Sequence, residues 1–529
     1  MATYIGIDLG TTYSCIAECD EHEMPTVIPC QSIANGNATP SVVFYDEEGK
    51  PIVGDIAKSW SSVDGYAERT LAFIKRSMGQ DFCPTPVAIG PIGSNDTRKV
   101  SPVEGSACIL HALFQSAINH ELCRGNSEPK KAVITIPAGY TNKQRSCTKK
   151  AAELAGIEVM GLIHEPTAAA ICHDIKSGES VLVFDLGGGT LDVSIVNNNQ
   201  GQYKVLGVAS DSDVLHHNIG GKDWDEKLKK LACQMRGYTP SRPSEESDLL
   251  LKAEECKKRL TKSKNTSFQF PDLSQIKVTR DDFVKNTRSL VNDCLKVVEA
   301  CIESADRETP GGKVNINRFI MVGGSSNMPM LKTALSRKFG ERFSRGREEP
   351  QWLIVSNDAE ASIAKGAAKY AFMLEQNPDM SKVTIEEKSS HSYGTSIKDR
   401  HTQEERVFNL IKSTDPMIFE SREFEFFTSS DNQNGIKVDI YENNELSDYF
   451  PLTESLRPIY EQPYNFGKNV PKETKVKFAV SRDKDGLIKI KVTSVGFPTR
   501  EYEASTLQPP VTSEIENQIK HSIYLMDKE

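Results

Sequence analysis

Up to about residue 374 the chain alternates short apolar runs with segments whose apolar residues recur at helical spacing. The run "KAVITIPAGY" (131–140) is followed by "TNKQRSCTKKAAELAGI" (141–157), where Ala151, Leu154 and Ala155 mark one apolar helix face. Such alternation predicts an α/β architecture. Further along the period becomes two. The segments "EFEFFTSSDNQNGIKVDIYENN" (423–444) and "KVKFAVSRDKDGLIKIKVTSV" (475–495) read as antiparallel strands, with a hairpin signal at Asp485-Gly486. The expected division is an α/β part over 1–374, a polar linker over 375–390, an antiparallel β part over 391–511 and a short helical tail over 512–529.

Length and charge narrow the classes. At 529 residues and 58.6 kDa there is room for several domains of ~150 residues each. A formal charge of −9 and a pI near 5.7 give no electrostatic reason to expect nucleic acid or an acidic membrane surface as partner. The 12 cysteines are scattered from Cys15 to Cys301 with no C-x-x-C pair, which predicts reduced thiols and a cytoplasmic setting rather than a disulfide framework or a zinc site. No apolar run reaches membrane length, no basic leader precedes the first strand, and "YLMDKE" at the end is no retention signal.

One phrase is written twice. "YIGIDLGTTYSC" (4–15) and "LVFDLGGGTLDVSI" (182–195) each run a buried strand into a glycine turn, Gly10 in the first and Gly187, Gly188 and Gly189 in the second. Such turns let backbone N–H groups approach a phosphate. Each copy sets a carboxylate at the strand end and a hydroxyl beyond the glycine, Asp8 with Thr11 and Asp185 with Thr190. A hard cation such as Mg²⁺ prefers oxygen ligands, so the pairing points to magnesium-nucleotide chemistry held between two half-sites. A third glycine site lies in "RFIMVGGSSNMPMLKTAL" (318–335), where Gly323, Gly324, Ser325 and Ser326 stand before a helix. Neither the Walker pattern nor a Rossmann G-x-G-x-x-G occurs.

Together "IGIDLGTTYSC", "FIKRSMGQ", "AVITIPAGYTNKQR", "IHEPTAAA", "VFDLGGGTLDVSI", "NIGGKDWD" and "MVGGSSNMP" resemble, in order and spacing, the 70-kDa heat-shock chaperones of the actin and sugar-kinase superfamily. The resemblance covers about residues 3–372 and continues more weakly into the β part. It implies an actin-like nucleotide-binding domain of duplicated ribonuclease H-like lobes followed by an antiparallel β-sandwich. It also implies slow hydrolysis of ATP to ADP with Mg²⁺, unfolded polypeptide as substrate, and a J-domain co-chaperone and a nucleotide-exchange factor as partners. On this resemblance Lys75 positions the attacking water and stabilises γ-phosphate charge, while Asp8, Asp185 and Glu165 surround the metal and its waters. Thr190 lies by the γ-phosphate, and Thr12, Asp192, Gly220 and Gly221 belong to the phosphate turns. Glu254, Lys257 and Thr261 meet the ribose and base. Pro137 and Arg145 form an interdomain relay, although as plain residues they read as a strand end and a helix-surface charge. Because phosphoryl transfer needs mainly positioning and charge stabilisation, this inventory suffices chemically.

Departures from the family pattern matter as much. Lys258 and Asn327 occupy the places of two arginines that sandwich the adenine, and an ammonium or an amide stacks poorly on a base. Arg259 is adjacent but rotated about 100° along its helix. Lys222 follows Gly220-Gly221 where the family has an acid. In the linker, Val383 and Ile385 stand among Glu386, Glu387 and Lys388, which predicts weak interdomain coupling. Candidate peptide contacts are Tyr393, Ile397, Phe427, Ile436 and Val438, though alternating apolar residues in a sandwich point inward by default. The run after residue 511 leads the reading to expect an atypical member without a helical lid. Two other functions stay open: a nucleotide-binding regulatory or adaptor protein with little hydrolysis, and a small-molecule kinase of the same superfamily.

Overall fold

A computed structural model describes residues 4–30, 37–93, 96–127, 129–215, 217–349, 351–376, 385–386, 391–399, 402–416, 419–483, 487–503 and 511–528. The linker positions Val383, Glu387 and Lys388 and the turn pair Asp485-Gly486 lie outside the described residues. The chain divides into two compact units, one of residues 1–138, 148–385 and 513–529, the other of residues 139–147 and 386–512.

Two of the first unit's sheets share one topology. Strands β1 (Tyr4–Asp8), β2 (Tyr13–Cys19), β3 (Pro25–Val27), β4 (Lys131–Ile136) and β5 (Glu158–His164) lie in the order β5-β4-β1-β2-β3. Strands β6 (Ser180–Leu186), β7 (Leu191–Asn199), β8 (Gln202–Ser210), β9 (Arg318–Val322) and β10 (Leu353–Val355) lie in the order β10-β9-β6-β7-β8. In each sheet the first strand is central, antiparallel to the second and parallel to the fourth. A strand covered on both faces must be apolar throughout, which is why "YIGID" and "SVLVFDL" do not alternate. Every residue of both is buried. Asp8 and Asp185 sit near the ends of these strands, opposite Cys15 and Asp192.

Six helices place the site: α1 (Pro102–Cys123), α2 (Glu165–Cys172), α3 (Gly221–Arg236), α4 (Pro243–Lys262), α5 (Ser362–Gln376) and α6 (Ser513–Asp527). Helices α2 and α5 bury Ala168, Ala169, Ala364, Ala367 and Ala368 in one core with Val133 of β4 and Val181 and Val183 of β6. Small residues let these backbones come close. A methyl group on Gly366 would overlap the Ala168 carbonyl, and one on Gly6 would stand 2.6 Å from the Ala367 carbonyl carbon. Gly366→Ala is therefore expected to cost about 3 kcal/mol, the upper end for overpacking, read as a lower urea midpoint at unchanged slope. On the other face of the second sheet, Trp224 and Leu228 of α3 and Leu249 and Ala253 of α4 pack with Phe184 and Leu191. Helix α6 also packs in this unit: Ser522 Oγ donates to Glu104 Oε1 (2.9 Å), and Asp527 Oδ1 lies 2.7 Å from His111 Nε2, both partners being on α1.

The second unit is antiparallel. Strands β11 (Ser392–Lys398), β12 (Glu405–Ile411), β13 (Phe419–Phe427), β14 (Gln433–Asn443), β15 (Tyr449–Pro451), β16 (Tyr460–Val470), β17 (Lys475–Arg482), β18 (Ile488–Thr493) and β19 (Arg500–Glu503) form two sheets. Their orders are β15-β12-β11-β14-β16 and β13-β17-β18-β19. One core joins Leu410, Val438, Ile440 and Tyr464 of the first sheet to Val476, Phe478, Val480 and Ile490 of the second. The period-two pattern of "KVKFAVSR" is the alternation of buried and more exposed positions along β17. Buried Asp439 is satisfied rather than left bare, since Thr395 Oγ1 (3.0 Å), Ser396 N (2.9 Å) and Ser396 Oγ (2.6 Å) all donate to it and Lys437 Nζ lies 3.3 Å from its Oδ2.

Candidate functional site

The glycine turns that end β1 and β6 open on one cavity of about 760 Å³ within the first unit. It is lined by Asp8, Gly10, Thr11, Thr12, Lys75, Glu165, Asp185, Gly187, Gly188, Thr190, Glu254, Lys257, Lys258, Thr261, Gly323, Gly324, Ser325 and Asn327. The fold thus brings most of the sequence-derived nucleotide residues together. Gly189, Asp192, Gly220 and Gly221 stand behind this lining. The Gly221 N–H donates to Gly187 O (3.0 Å), and a Cβ at Gly220 would lie 2.5 Å from Gly189 N, so the start of α3 backs the second turn without side chains. The turns also press on each other across the cleft, because a Cβ on Gly188 would overlap Thr12 and one on Gly189 would overlap Thr11.

At the floor, Asp8, Glu165 and Asp185 are each at least nine-tenths buried. Glu165 forms an ion pair with Lys75, and Thr135 Oγ1 donates to Asp8 Oδ1 (3.0 Å). Burial first, and then the charge of Glu165, push Asp8 up to about 7 against the opposing pull of Lys75 and Thr135. Asp185 is raised by burial and by Glu165 and Asp8, and Asp192 by burial, Glu165 and Asp211. Lys75 is the cation that offsets this crowd, and one ammonium does not neutralise three carboxylates. Such an oxygen-rich pocket, whose carboxyls resist ionising together without further positive charge, fits a hard divalent cation. A raised carboxyl is protonated in the fold below its folded pKa, so its penalty on stability grows as pH rises from about 4 through about 7. Asp8→Asn is accordingly expected to raise the thermal midpoint of the metal-free, nucleotide-free protein at pH 8 and to leave it unchanged at pH 4, measured by calorimetry in chelator.

At the other end of the cavity the structure differs from the sequence reading. Tyr13, which lies in the first glycine phrase without a role of its own, and Lys58, which belongs to no motif, join Glu254 and Lys258 in one cluster. Tyr13 OH donates to Glu254 Oε1 (2.9 Å), and Lys58 Nζ reaches Tyr13 OH (2.6 Å) and Glu254 Oε2 (2.7 Å). Lys258 Nζ lies 2.8 Å from Glu254 Oε1 and 3.2 Å from Tyr13 OH. Against its burial, Lys58 and then Lys258 hold Glu254 down at about 2. Lys257 is likewise engaged, with Asp225 Oδ2 (2.8 Å) and Gly221 O (3.0 Å). Asn327 donates to Gly324 O (3.1 Å). Arg259 does not replace the missing guanidinium: its side chain is 60% exposed, turned to Glu255 at 3.6 Å, and is not part of the cavity lining.

The remaining sequence-derived residues lie elsewhere. Pro137 is buried directly after β4. Arg145 is 3% exposed, so the surface-charge reading of it fails. Tyr393 and Val438 are core residues of the second unit, Ile397 and Ile436 are half-buried, and Phe427 is exposed. Among the described residues no helix is long and apolar enough to cross a membrane.

The family model described as Hsp70 protein matches residues 4–496, through both units. The chain belongs to the Hsp70 family. Members of that family are in general ATP-dependent chaperones: ATPases that bind ATP or ADP with Mg²⁺ and take unfolded polypeptide, with J-domain proteins and exchange factors as partners. In this Hsp70 chain the cavity residues and the matched span coincide, since all of the lining falls between residues 8 and 363.

Proposed function

We propose that the protein binds Mg²⁺·ATP in the cavity, hydrolyses it slowly, and holds extended polypeptide on its β unit as a cytoplasmic chaperone. The observation that carries this reading is the meeting of Asp8, Glu165, Asp185 and Lys75 beneath two facing glycine turns. On this reading the repeated sheets are the duplicated lobes of an actin-like nucleotide-binding domain, and the second unit is a β-sandwich. Magnesium would supply charge neutralisation at the phosphate oxygens, held through its waters by Asp8 and Asp185. Asp185 orients the attacking water and accepts its proton, Lys75 offers its ammonium to the charge that builds on the γ-phosphate, and Thr190 donates a hydroxyl beside it. Ile397, Phe427 and Ile436 are the side chains with surface left for a peptide, and Tyr393 and Val438 support them from the core. The unpaired state of all 12 cysteines supports a reducing compartment.

The engagement of Lys258 by Glu254 and Tyr13 favours one other reading, a nucleotide-binding adaptor with little hydrolysis. Calorimetric titration of nucleotide-stripped protein with Mg·ATP, Mg·ADP and Mg·GTP, beside single-turnover hydrolysis, separates the two. Adenine-selective binding with turnover supports the chaperone ATPase, binding without turnover selects the adaptor, and no binding to any of the three rejects both.

A further inference from the structure

Lys222 is the odd residue of the cavity wall. It stands on the first turn of α3, its N–H donates to Gly188 O (2.9 Å), and its side chain lines the cavity with Phe73, Lys75 and Gly188. Its ammonium lies 3.9 Å from the centre of the Phe73 ring, two residues before Lys75. Among the described residues no carboxylate is within ion-pair reach of it. Its neighbours are already taken: Asp223 by Arg76 (2.9 Å) and by the Gly220 N–H (2.8 Å), Glu226 by Lys229 (2.8 Å). Arg76 in turn donates twice to Gly189 O (3.0 and 2.6 Å), which fixes this positive region against the second glycine turn.

An ammonium that, among the described residues, has an aromatic face beside it and only the more distant charges of Glu226 and Asp223 to attract it is weakly held, because a cation–π contact supplies less than a charge-assisted hydrogen bond to an anion. We infer that Lys222 is a binding residue for the phosphate end of the nucleotide, leaving the Phe73 ring for a phosphate oxygen, so that this cleft grades nucleotides by phosphate number. The inference rests on the nucleotide reading above and adds to it a contact that the glycine turns, Lys75 and the carboxylates do not supply. Burial and then the positive charge of Arg76 hold the Lys222 ammonium below its usual range, and an anion at this place would relieve that.

The test is calorimetry on the full-length protein with Mg·ATP, Mg·ADP and AMP, comparing Lys222→Met, Lys222→Arg and Lys222→Glu with the unmodified chain. Lys222→Met is expected to weaken Mg·ATP by about tenfold to a hundredfold, the range for losing one charged hydrogen bond. Mg·ADP should lose less and AMP nothing, while Lys222→Arg recovers most of the loss and Lys222→Glu deepens it. Unchanged affinities, or an equal loss for all three nucleotides, overturn the inference, the second because it marks Lys222 as a prop for Phe73. Failure of the unmodified protein to bind any nucleotide overturns both this inference and the reading it rests on.

Discussion

Lys75→Ala is expected to slow single-turnover ATP hydrolysis by about a thousandfold while leaving Mg·ATP bound. Lys75 lies on the short 3-10 turn Ile74–Ser77, entered through Phe73 in the left-handed region at φ 59°, an unusual conformation for a bulky residue. The turn is buried on Ile74 and Ser77 and pinned by Arg76 to the second glycine turn, so the ammonium is held in place before any ligand arrives. Charge that exists only in the transition state gains most from a donor that is already oriented in a dry site. Ground-state binding, by contrast, is shared among the glycine turns, the carboxylates and the base end, and alanine loses only one of these contacts. Removing the ammonium also sharpens the repulsion among Asp8, Glu165 and Asp185, which favours a metal and partly offsets the weaker hold on phosphate. Equal losses in binding and rate would show Lys75 to be a general anchor, and an unchanged rate would remove it from the chemistry altogether.

The residues legible in the sequence are those whose task leaves a local mark. The phrase at 4–15 recurs at 182–195 because the same sheet is built twice, and a central strand running into a phosphate-sized turn dictates buried apolar residues, an acid and then glycine. The period-two runs of the second part are likewise the inward and outward faces of β17 and β18, whereas β14 buries Val438, Asp439, Ile440 and Tyr441 in succession. What stayed hidden depends on partners far along the chain. Tyr13 meets Glu254 across 241 positions and Lys58 meets it across 196, and neither lysine nor tyrosine advertises such a partner locally. The seat of α6 is hidden for the same reason, since Ser522 and Asp527 meet Glu104 and His111 of α1 some 418 and 416 positions away. The plain alternative for Arg145, a helix-surface charge, fails because helical periodicity reports the face a residue occupies and not what covers that face. Tyr393, a candidate peptide contact by resemblance, and Val438, a candidate for an apolar peptide pocket, both lie in the core, because alternation in a two-sheet unit sends such residues inward.

Gly188→Ala is expected to weaken Mg·nucleotide binding by more than about a hundredfold, and Thr12→Gly in the same chain to restore a substantial part of it. The added methyl would overlap Thr12 Oγ1 and stand 2.5 Å from Thr12 Cβ, so Thr12→Ala, which keeps the Cβ, should restore little. Thr12 has no freedom to yield as a long side chain would, because it is β-branched and the backbone of its turn is fixed: Ser41 N–H donates to Thr12 O (2.9 Å) and Gly10 N–H to Ser14 Oγ (3.0 Å). On the other side Gly188 is fixed by the Lys222 N–H on its carbonyl (2.9 Å). Overlap between two rigid backbones is relieved only by separating them, and these two carry the donors that must close on one phosphate chain from opposite sides. A separation of 1 Å lengthens several charge-assisted bonds at once, and losing two of them at about 1.5 kcal/mol each already amounts to a hundredfold. Stability should fall much less, since neither turn belongs to the cores around Ala168 and Trp224. Strong binding by Gly188→Ala would mean that the turns do not meet as described, whereas loss without rescue by Thr12→Gly would place the clash elsewhere. Rescue would establish, through binding alone, that the twice-written glycine turns act as two jaws of one site.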